Sequence, residues 1–391
     1  MLLTSGLLTS SAFAEHQQIQ LSNARFVSPE ETLLINALHN WEDGNPSLAA
    51  TALDSLMLLA PKFGVAQSLQ RAIRKQPTLG EQGIYETIMA QPLSNATKTE
   101  FQQRWDYFLN PAPVGKVPSA ILRLSETQKY AVAVDMSRNR IYLFENKNSQ
   151  PQLIADLYAG IGSKGFGKQV QGDRKTPIGV YFVTSQLADR DLDELYGIGA
   201  FPLNYPNALD RERERTGGGI WIHGVPRNTW TRAPQSSRGC VTIANRDFER
   251  LMGRIKPRST PVVLSEGLNW VDPDKLAKDH DAVISGIKQW AEDWESLDTA
   301  RYLKHYSEDF VGQEMDFAEW KEHKYRVNER KEWIKLELGD ISLFKDPKED
   351  VIVATFLQDY SSNNFSSRDY KRQFWQRQSD GSWKILLENG V

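Results

Sequence analysis

Hydrophobic positions near the start of the chain recur with a helical period. Leu34, Leu38 and Trp41 lie three or four positions apart, a Gly-Asn-Pro break follows at 44–46, and two further runs of the same kind come after it. Such spacing gathers apolar side chains on one face of a helix, and Gly or Pro ends the run. The pattern therefore predicts consecutive amphipathic helices between 28 and 75.

The pattern changes to short strand-like runs in the middle of the chain. These runs are rich in β-branched and aromatic residues and are separated by polar or Gly-rich turns, which is typical of strands. They cover 130–134, 141–144, 153–158, 179–184, 219–223 and 261–265. The sequence therefore predicts a mostly β block.

A third pattern begins after residue 270. Apolar positions between 284 and 297 outline an amphipathic helix, and a second, shorter helix is predicted through 302–306. Alternating strand patterns follow at 333–338, 351–360, 370–377 and 383–387, with a hairpin turn at Asp380-Gly381. This order of elements predicts an α+β unit.

These patterns divide the chain into several domains, as its 391 residues lead one to expect. We predict a helical domain over 25–110 containing a tetratricopeptide-like hairpin, a Pro-rich linker over 111–127, a β domain over 128–266 and an α+β domain over 275–391. Residues 1–14 are predicted to be the remnant of a signal peptide, because a short apolar run leads into Ala12-Phe13-Ala14, an A-x-A cleavage pattern. The expected location is the periplasm, with no transmembrane span.

Composition is that of a globular protein without a charge-driven partner. Hydrophobic residues make up 40% and charged residues 25%, and 47 basic against 50 acidic residues give a net charge of -3. A balance so close to zero gives no overall attraction to nucleic acid or to anionic lipid. We therefore expect no nucleic-acid partner.

The chain contains a single cysteine, Cys240, and its surroundings carry candidate catalytic residues. An exported chain with one cysteine forms no internal disulfide, so the thiol is either inert and buried or reactive. His223 lies seventeen residues before it. Three segments carry the candidate chemistry: GDRKTPIGVY at 172–181, GGGIWIHGVP at 217–226 and SSRGCVTI at 236–243.

The residue types in these segments suit acyl transfer. A thiol with an ordinary pKa near 8.5 is mostly protonated at neutral pH, and a neighbouring imidazole can accept its proton. Gly239 permits a tight turn in which backbone N–H groups can face a developing oxyanion, and one such donor is worth about 3 kcal/mol. Ser237 can orient the loop or the imidazole, and Gly224 permits a close approach of substrate backbone.

Taken together, the H-G pair, S-x-G-C-[IV] and the upstream G-D-x-x-T-P-x-G-x-Y resemble the L,D-transpeptidase (YkuD) catalytic domain. The resemblance implies a β-rich sandwich in which Cys240 is the acyl acceptor, His223 is the base and the backbone near 238–240 forms an oxyanion hole. It implies attack on the L-centre carbonyl of meso-diaminopimelate in a peptidoglycan stem tetrapeptide, release of D-alanine, and no metal or organic cofactor. The site residues it assigns are Cys240, His223, Ser237 and Gly239 for catalysis, and Gly224, Arg238, Thr176, Tyr205 and Trp221 for substrate binding.

The sequence departs from the family pattern after the cysteine, where Thr242 stands in place of the usual arginine. If that arginine anchors substrate, another cation must replace it, and Arg174, Lys175, Arg227 and Arg232 are the candidates in the motif segments. In the long segment 189–218, three further arginines could hold an acyl acceptor, or the segment could cover the site and favour hydrolysis. They are Arg211, Arg213 and Arg215.

Segments 201–210 and 216–224 resemble the branch of the family that holds helical-cell-shape L,D-carboxypeptidases and YafK-like enzymes that detach lipoprotein from murein. The block after 275 is similar to the cone-shaped nuclear-transport-factor-2-like (NTF2-like) fold. Three functions stay open: transfer of the acyl group to an amine, which the family as a whole favours; hydrolysis by water; and a non-catalytic wall-binding scaffold. The expected partner is the peptidoglycan stem peptide, and a homodimer is possible.

Overall fold

A computed structural model describes residues 28–79 and 83–390 of the chain. The segment predicted to be a signal-peptide remnant, 1–14, lies outside them. Within these ranges no helix combines the length and the apolar character needed to cross a bilayer. The described residues form a helical N-terminal part, a central β sandwich and a C-terminal sheet with helices, and this is the multidomain architecture predicted from the sequence.

The N-terminal part consists of helices packed around one apolar core. They are α1 (Pro29–Glu42), α2 (Pro46–Leu59), α3 (Gly64–Lys75), α4 (Gly83–Met89) and α5 (Asn95–Leu109). Pro29 and Pro46 occupy the first turns of their helices, where the missing N–H group costs nothing. Trp41, Leu53 and Phe101 lie in the shared core and are almost fully buried. The helices predicted between 28 and 75 are thus confirmed.

The central part is a sandwich of two sheets. Its strands are β3 (Tyr130–Asp135), β4 (Arg140–Lys147), β5 (Gln150–Tyr158), β6 (Ile161–Gly162), β7 (Gly179–Phe182), β8 (Leu187–Ala188), β9 (Gly199–Pro202), β10 (Trp221–His223), β11 (Gln235–Ser237), β12 (Val241–Thr242) and β13 (Pro261–Ser265). One sheet has the order β5-β4-β3-β13-β7 and the other β12-β10-β9-β8. Val132 and Leu143 of the first contact a core shared with Phe201, Ile222 and Val241 of the second. Two short helices, α6 (Ala208–Glu212) and α7 (Asn245–Met252), complete this part.

The C-terminal part is a strongly curved sheet that covers helices. Its elements are β14 (Trp270–Val271), α8 (Ala277–Glu295), α9 (Thr299–Leu303), β15 (Tyr306–Gly312), β16 (Met315–Asp316), α10 (Phe317–Asn328), β17 (Ile334–Lys345), β18 (Val351–Ser362), β19 (Ser366–Arg377) and β20 (Trp383–Gly390). The strand order is β16-β15-β20-β19-β18-β17-β2, where β2 is the short strand Ile121–Arg123. The predicted second helix ends at Leu303, because Tyr306 already begins a strand. The sequence prediction also missed α10, although Asp316 and Glu319 form the capping box that starts it.

The segment predicted as a linker, 111–127, is built into two domains. It contains β1 (Val117–Pro118), which pairs with β14, and β2 (Ile121–Arg123), which adds to the C-terminal sheet beside β17. Ile121 and Leu124 are fully buried. Pro and Gly set its composition, but its apolar residues enter a core, so it joins the domains rigidly.

Candidate active site

The pairing of β10 with β12 connects the segments that carry the candidate histidine and the candidate cysteine. These strands are parallel, with Ile222 opposite Val241 and His223 opposite Thr242. Side chains alternate across a sheet, so the residue two before Thr242 shares the face of His223. That residue is Cys240. Cys240 directly precedes β12 and therefore lies next to the strand that pairs with the strand of His223.

A tight turn between β11 and β12 presents the thiol. The Ser237 hydroxyl donates to the Cys240 carbonyl oxygen (2.6 Å) and accepts from the Gly239 N–H (3.0 Å). Gly239 has φ +125°, and a side chain there would lie 2.8 Å from the Lys175 carbonyl oxygen. Ser237 thus orients the loop rather than the imidazole. The Gly239 N–H already donates to Ser237, so it is not available to an oxyanion. The N–H groups of Arg238 and Cys240 donate no hydrogen bond to any described residue and remain available.

The Cys240 thiol is nearly enclosed. Only 9% of the residue is exposed, and Sγ donates to the Gly219 carbonyl oxygen at 3.3 Å. Burial raises the pKa of Cys240, whereas the Trp221 N–H, Arg232 and Lys168 act in the opposite direction. The resting group is therefore a neutral thiol held by a backbone carbonyl, and the cations around it stabilise a thiolate once one forms.

His223 is buried and neutral. Its Nδ1 lies 2.6 Å from the Gly224 carbonyl oxygen, which fixes the proton on Nδ1 and leaves Nε2 as an acceptor. Burial lowers the pKa of His223 to about 4. The hydrogen bond to Gly224 raises the pKa, and the charge of Arg232 lowers it further. A neutral imidazole beside a neutral thiol can act as a general base at the moment of attack. It does not hold a preformed thiolate.

Half-buried aromatic side chains border the imidazole. The Tyr196 ring meets His223 edge-on, with centroids 5.0 Å apart, and contacts the Trp221 ring at 4.8 Å. Trp221, predicted to bind substrate, is therefore at the site. Tyr196 was not predicted, because it lies in a short helical turn outside the three motifs.

Two predicted substrate-binding residues lie in the protein interior. Thr176 is fully buried and accepts the Gly162 N–H through Oγ1 (2.9 Å), so it fastens the loop beside the site. Tyr205 is 5% exposed, and its hydroxyl donates to the Thr216 carbonyl oxygen (3.1 Å). Their contacts hold the 172–181 and 201–218 segments in place, and neither side chain opens to the site.

Gly224 also has a packing role. A side chain at this position would lie 2.2 Å from the Asn245 side-chain oxygen and 3.2 Å from the Tyr196 carbonyl oxygen. The close approach that requires glycine is therefore that of the protein's own α7 and 196–198 backbone. Arg238, in contrast, is exposed at the rim of the cysteine loop, where a substrate can reach it.

The segment 172–181 forms the wall behind the cysteine loop. Asp173 accepts from the Lys168 ammonium (2.7 Å) and from the Gln169 and Lys175 N–H groups (2.8 and 3.1 Å). Burial alone would raise the pKa of Asp173, but the Lys168 hydrogen bond and these N–H groups bring it down to about 2. The conformation they fix sets the Lys175 carbonyl against Gly239.

Among the four candidate cations, Arg232 faces the reacting groups. It is half-buried, its charge acts on both Cys240 and His223, and no described carboxylate forms an ion pair with it. Arg227 pairs with Asp189, and Arg174 is exposed. Thr242 is buried, its Oγ1 without a partner among the described residues, so it offers no anchor in place of the usual arginine.

The arginines of the 189–218 segment do not face the site as suggested. Arg213 pairs with Glu349 of the C-terminal domain (3.0 Å), and Arg215 pairs with Glu349 (2.6 Å) and Asp210 (3.0 Å). Arg211 donates to the Pro206 carbonyl oxygen (2.7 Å). The alternating charges of the sequence were compatible with a loop that binds an acyl acceptor. In the structure, Glu349 of the C-terminal domain instead forms ion pairs with Arg213 and Arg215.

A cavity of about 690 Å³ opens inside the C-terminal sheet. Trp294, Trp320 and Tyr360 line it, and the buried Lys324 ammonium lies 4.3 Å from the ring centroids of both tryptophans. Burial, reinforced by Lys371, lowers the pKa of Lys324 to about 7. Some aromatic residues of this domain, such as Trp290 and Trp375, lie in the core, whereas Trp294, Trp320 and Tyr360 also line the pocket.

Comparison with known families decides the identity of the central part. The sequence model of the L,D-transpeptidase catalytic domain (YkuD) matches residues 129–264, which contain all three motifs. The central part is therefore similar to L,D-transpeptidase catalytic domains. The model of the Cds6 C-terminal NTF2-like domain matches 282–389. Both family resemblances are therefore confirmed.

Solved structures resemble the chain over most of its length. Bd1075 from Bdellovibrio bacteriovorus is 28% identical with a TM-score of 0.62, and the match covers 71% of this chain and 98% of that one. The helical cell shape determining protein Pgp2 from Campylobacter jejuni is 26% identical with a TM-score of 0.59, covering 70% and 95%. A search of curated proteins found no significant match. In the described residues, no group of three or more His, Cys, Asp or Glu side chains is placed to hold a metal ion.

Proposed function

We propose that the protein modifies peptidoglycan as a cysteine acyltransferase, with Cys240 as nucleophile and His223 as general base. The observation that supports the proposal is the β10–β12 register, which pairs the strand of the buried His223 with the strand that directly follows Cys240, the only cysteine of the chain. The family of the catalytic domain acts on the cell wall, so the expected place of work is outside the cytoplasm. The expected substrate is the stem tetrapeptide.

The acylation step follows from the arrangement of these groups. As Sγ attacks the L-centre carbonyl carbon of meso-diaminopimelate, its proton passes to Nε2 of His223. The N–H groups of Arg238 and Cys240 face the developing oxyanion. The C–N bond to D-alanine breaks, the leaving amine takes the proton from the imidazolium, and a thioester remains on Cys240.

We propose Arg232 as the anchor for a substrate carboxylate. Its charge acts on both reacting groups, and it lacks a carboxylate partner among the residues described, so it is available to a ligand. A charge-assisted contact of this kind contributes about 1.5–3 kcal/mol. The same charge stabilises the thiolate and disfavours protonation of His223.

We propose water as the acyl acceptor. Arg213 and Arg215, which could have held the carboxylates of a second stem peptide, are engaged with Glu349 and Asp210. Arg211 donates to a backbone carbonyl. Hydrolysis makes the enzyme an L,D-carboxypeptidase that trims tetrapeptides to tripeptides. Transfer to an amine, with 3–3 cross-links as product, is the alternative.

Mass spectrometry of muropeptides after incubation with the purified protein tests this proposal. We expect tripeptides and free D-alanine from the wild type and neither from Cys240→Ala. Cross-linked products in place of tripeptides would overturn the hydrolytic fate and leave the acylation step intact. Binding to sacculi without any product would indicate the scaffold function, for which the C-terminal cavity is the obvious binding site.

A further inference from the structure

A cleft of about 460 Å³ lies between the catalytic domain and the C-terminal sheet. The catalytic domain contributes Phe182, Arg258 and Ser259, and the C-terminal sheet contributes Ser342, Thr355 and Arg372. Around the cleft the two domains meet in a shared apolar core that includes Val180 and Val263 on one side and Val353 and Phe374 on the other. The cleft is thus the polar part of an otherwise apolar interface.

Arg372 is the unusual residue of this cleft. It is only 6% exposed, and its guanidinium lies over the Phe182 ring at 3.7 Å. Its Nε has no hydrogen-bond partner, and no described carboxylate forms an ion pair with the group. Burial lowers the pKa of Arg372 to about 10, with no neighbouring charge to offset it.

The other buried arginines of the described chain all have carboxylate partners. Arg104 pairs with Glu31 and Glu100, Arg140 with Glu31 and Asp156, and Arg215 with Asp210 and Glu349. A buried cation without a partner is costly, because it loses hydration and gains no compensating interaction. The position of Arg372 therefore suits binding of an anion that is not part of the chain.

Arg258 and Ser342 in the lining suit an oxyanion, and the carboxylates of Asp340 and Asp369 line the same cleft. Arg258, held at φ +64°, supplies a second guanidinium that forms no ion pair within the described ranges. Ser342 is buried, with Oγ accepting the Ser125 N–H (2.9 Å), so its own hydroxyl proton remains available to donate. The nearby Asp340 accepts from Tyr370 (3.0 Å) and does not neutralise Arg372. Guanidinium and hydroxyl donors together form the usual environment of carboxylate and phosphate groups.

We propose that this cleft binds a small oxyanion, a carboxylate or a phosphate, with Arg372 as its principal partner. Its volume is within the range of small-molecule sites. Because both domains line the cleft, a bound anion holds the C-terminal sheet against the catalytic domain. The site is separate from Cys240, so its occupancy does not depend on the proposed reaction.

Thermal unfolding of the full chain tests the proposal, with inorganic phosphate and acetate as probes against chloride at matched ionic strength. A ligand that binds the native state raises the melting temperature. We expect at least one probe to stabilise the wild type and Arg372→Met to weaken the response about tenfold or more. Arg377→Met, at the exposed end of the same strand, is the matched control and should respond as the wild type does. The two probes distinguish a carboxylate from a phosphate site.

The melting temperature of Arg372→Met without added anion provides an independent measurement. Removing an unpaired buried cation should leave the protein as stable or more stable, since the apolar replacement needs no hydration. Equal responses of wild type and Arg372→Met to both probes would overturn the proposal. If Arg372→Met does not fold, calorimetric titration of the wild type decides, because absence of binding at tens of millimolar phosphate and acetate would also overturn it. Binding in that titration that Arg372→Lys weakens would support it.

Discussion

At the scale of single residues, burial decides the protonation states of the proposed catalytic pair. Burial lowers the pKa of His223 to about 4 and raises that of the Cys240 thiol. Both groups are thus neutral over a wide range around neutral pH. The proton moves during attack, and the cations Arg232 and Lys168 stabilise the sulfur as it becomes negative.

The pH dependence of acylation follows from these shifts. His223 is a competent base only when neutral, that is above its pKa, so the rate should hold from neutral pH down to about 5 and fall as the pH approaches 4. An ordinary histidine would lose activity near 6.5. Single-turnover rates measured against pH check this, with His323→Asn, on the C-terminal domain, as the control. A midpoint near 6.5, or an unchanged rate in His223→Gln, would contradict the assignment.

The sequence predicts that Cys240, His223 and the turn residues form one site, because their spacing and the Gly and Ser around them have few other uses. It could not separate Arg232 from Arg227 or Arg174, since sequence distance does not reveal which cation faces the thiol. Nor could it tell that Thr176 is buried in the loop behind the site, because a motif residue can hold a loop as well as touch a ligand.

At the scale of elements, the segment between β10 and β11 connects the site to the N-terminal helices. Trp230 packs against the helical core and lies 6.3 Å from the Phe63 ring, and the Thr231 hydroxyl donates to Glu100 (2.6 Å). The Tyr158 hydroxyl donates to the Arg232 carbonyl oxygen (3.0 Å). These contacts hold the backbone at Arg232, the residue whose charge acts on Cys240.

Arg232→Gln tests the role of this element. Loss of the proposed carboxylate contact should raise KM for the tetrapeptide about tenfold to a hundredfold and leave circular dichroism unchanged. Arg227→Gln is the matched control, because Arg227 lies on the same segment but is exposed and pairs with Asp189. Its KM should stay within about twofold of the wild type. Equal KM values for the two variants would remove Arg232 as the anchor.

At the scale of the whole molecule, buried contacts join the three parts across long sequence distances. Arg140 of β4 pairs with Glu31 of α1 (3.0 Å) and with Asp156 of β5 (2.7 Å). Arg215 reaches Glu349 of the C-terminal domain. Hydrophobic periodicity predicted each part, but no local pattern shows that residues more than a hundred positions apart form ion pairs. The docking of the domains was therefore beyond sequence reasoning.

The central claim is that acyl transfer passes through a thioester on Cys240. Mass spectrometry of the intact protein, quenched in acid during turnover of a disaccharide tetrapeptide, measures that intermediate directly. We predict an adduct with the mass of the disaccharide tripeptide acyl group, mapped to the peptide that carries Cys240 and absent from a folded Cys240→Ala. Product formation by Cys240→Ala, or turnover by the wild type with the adduct on another residue, would contradict the account.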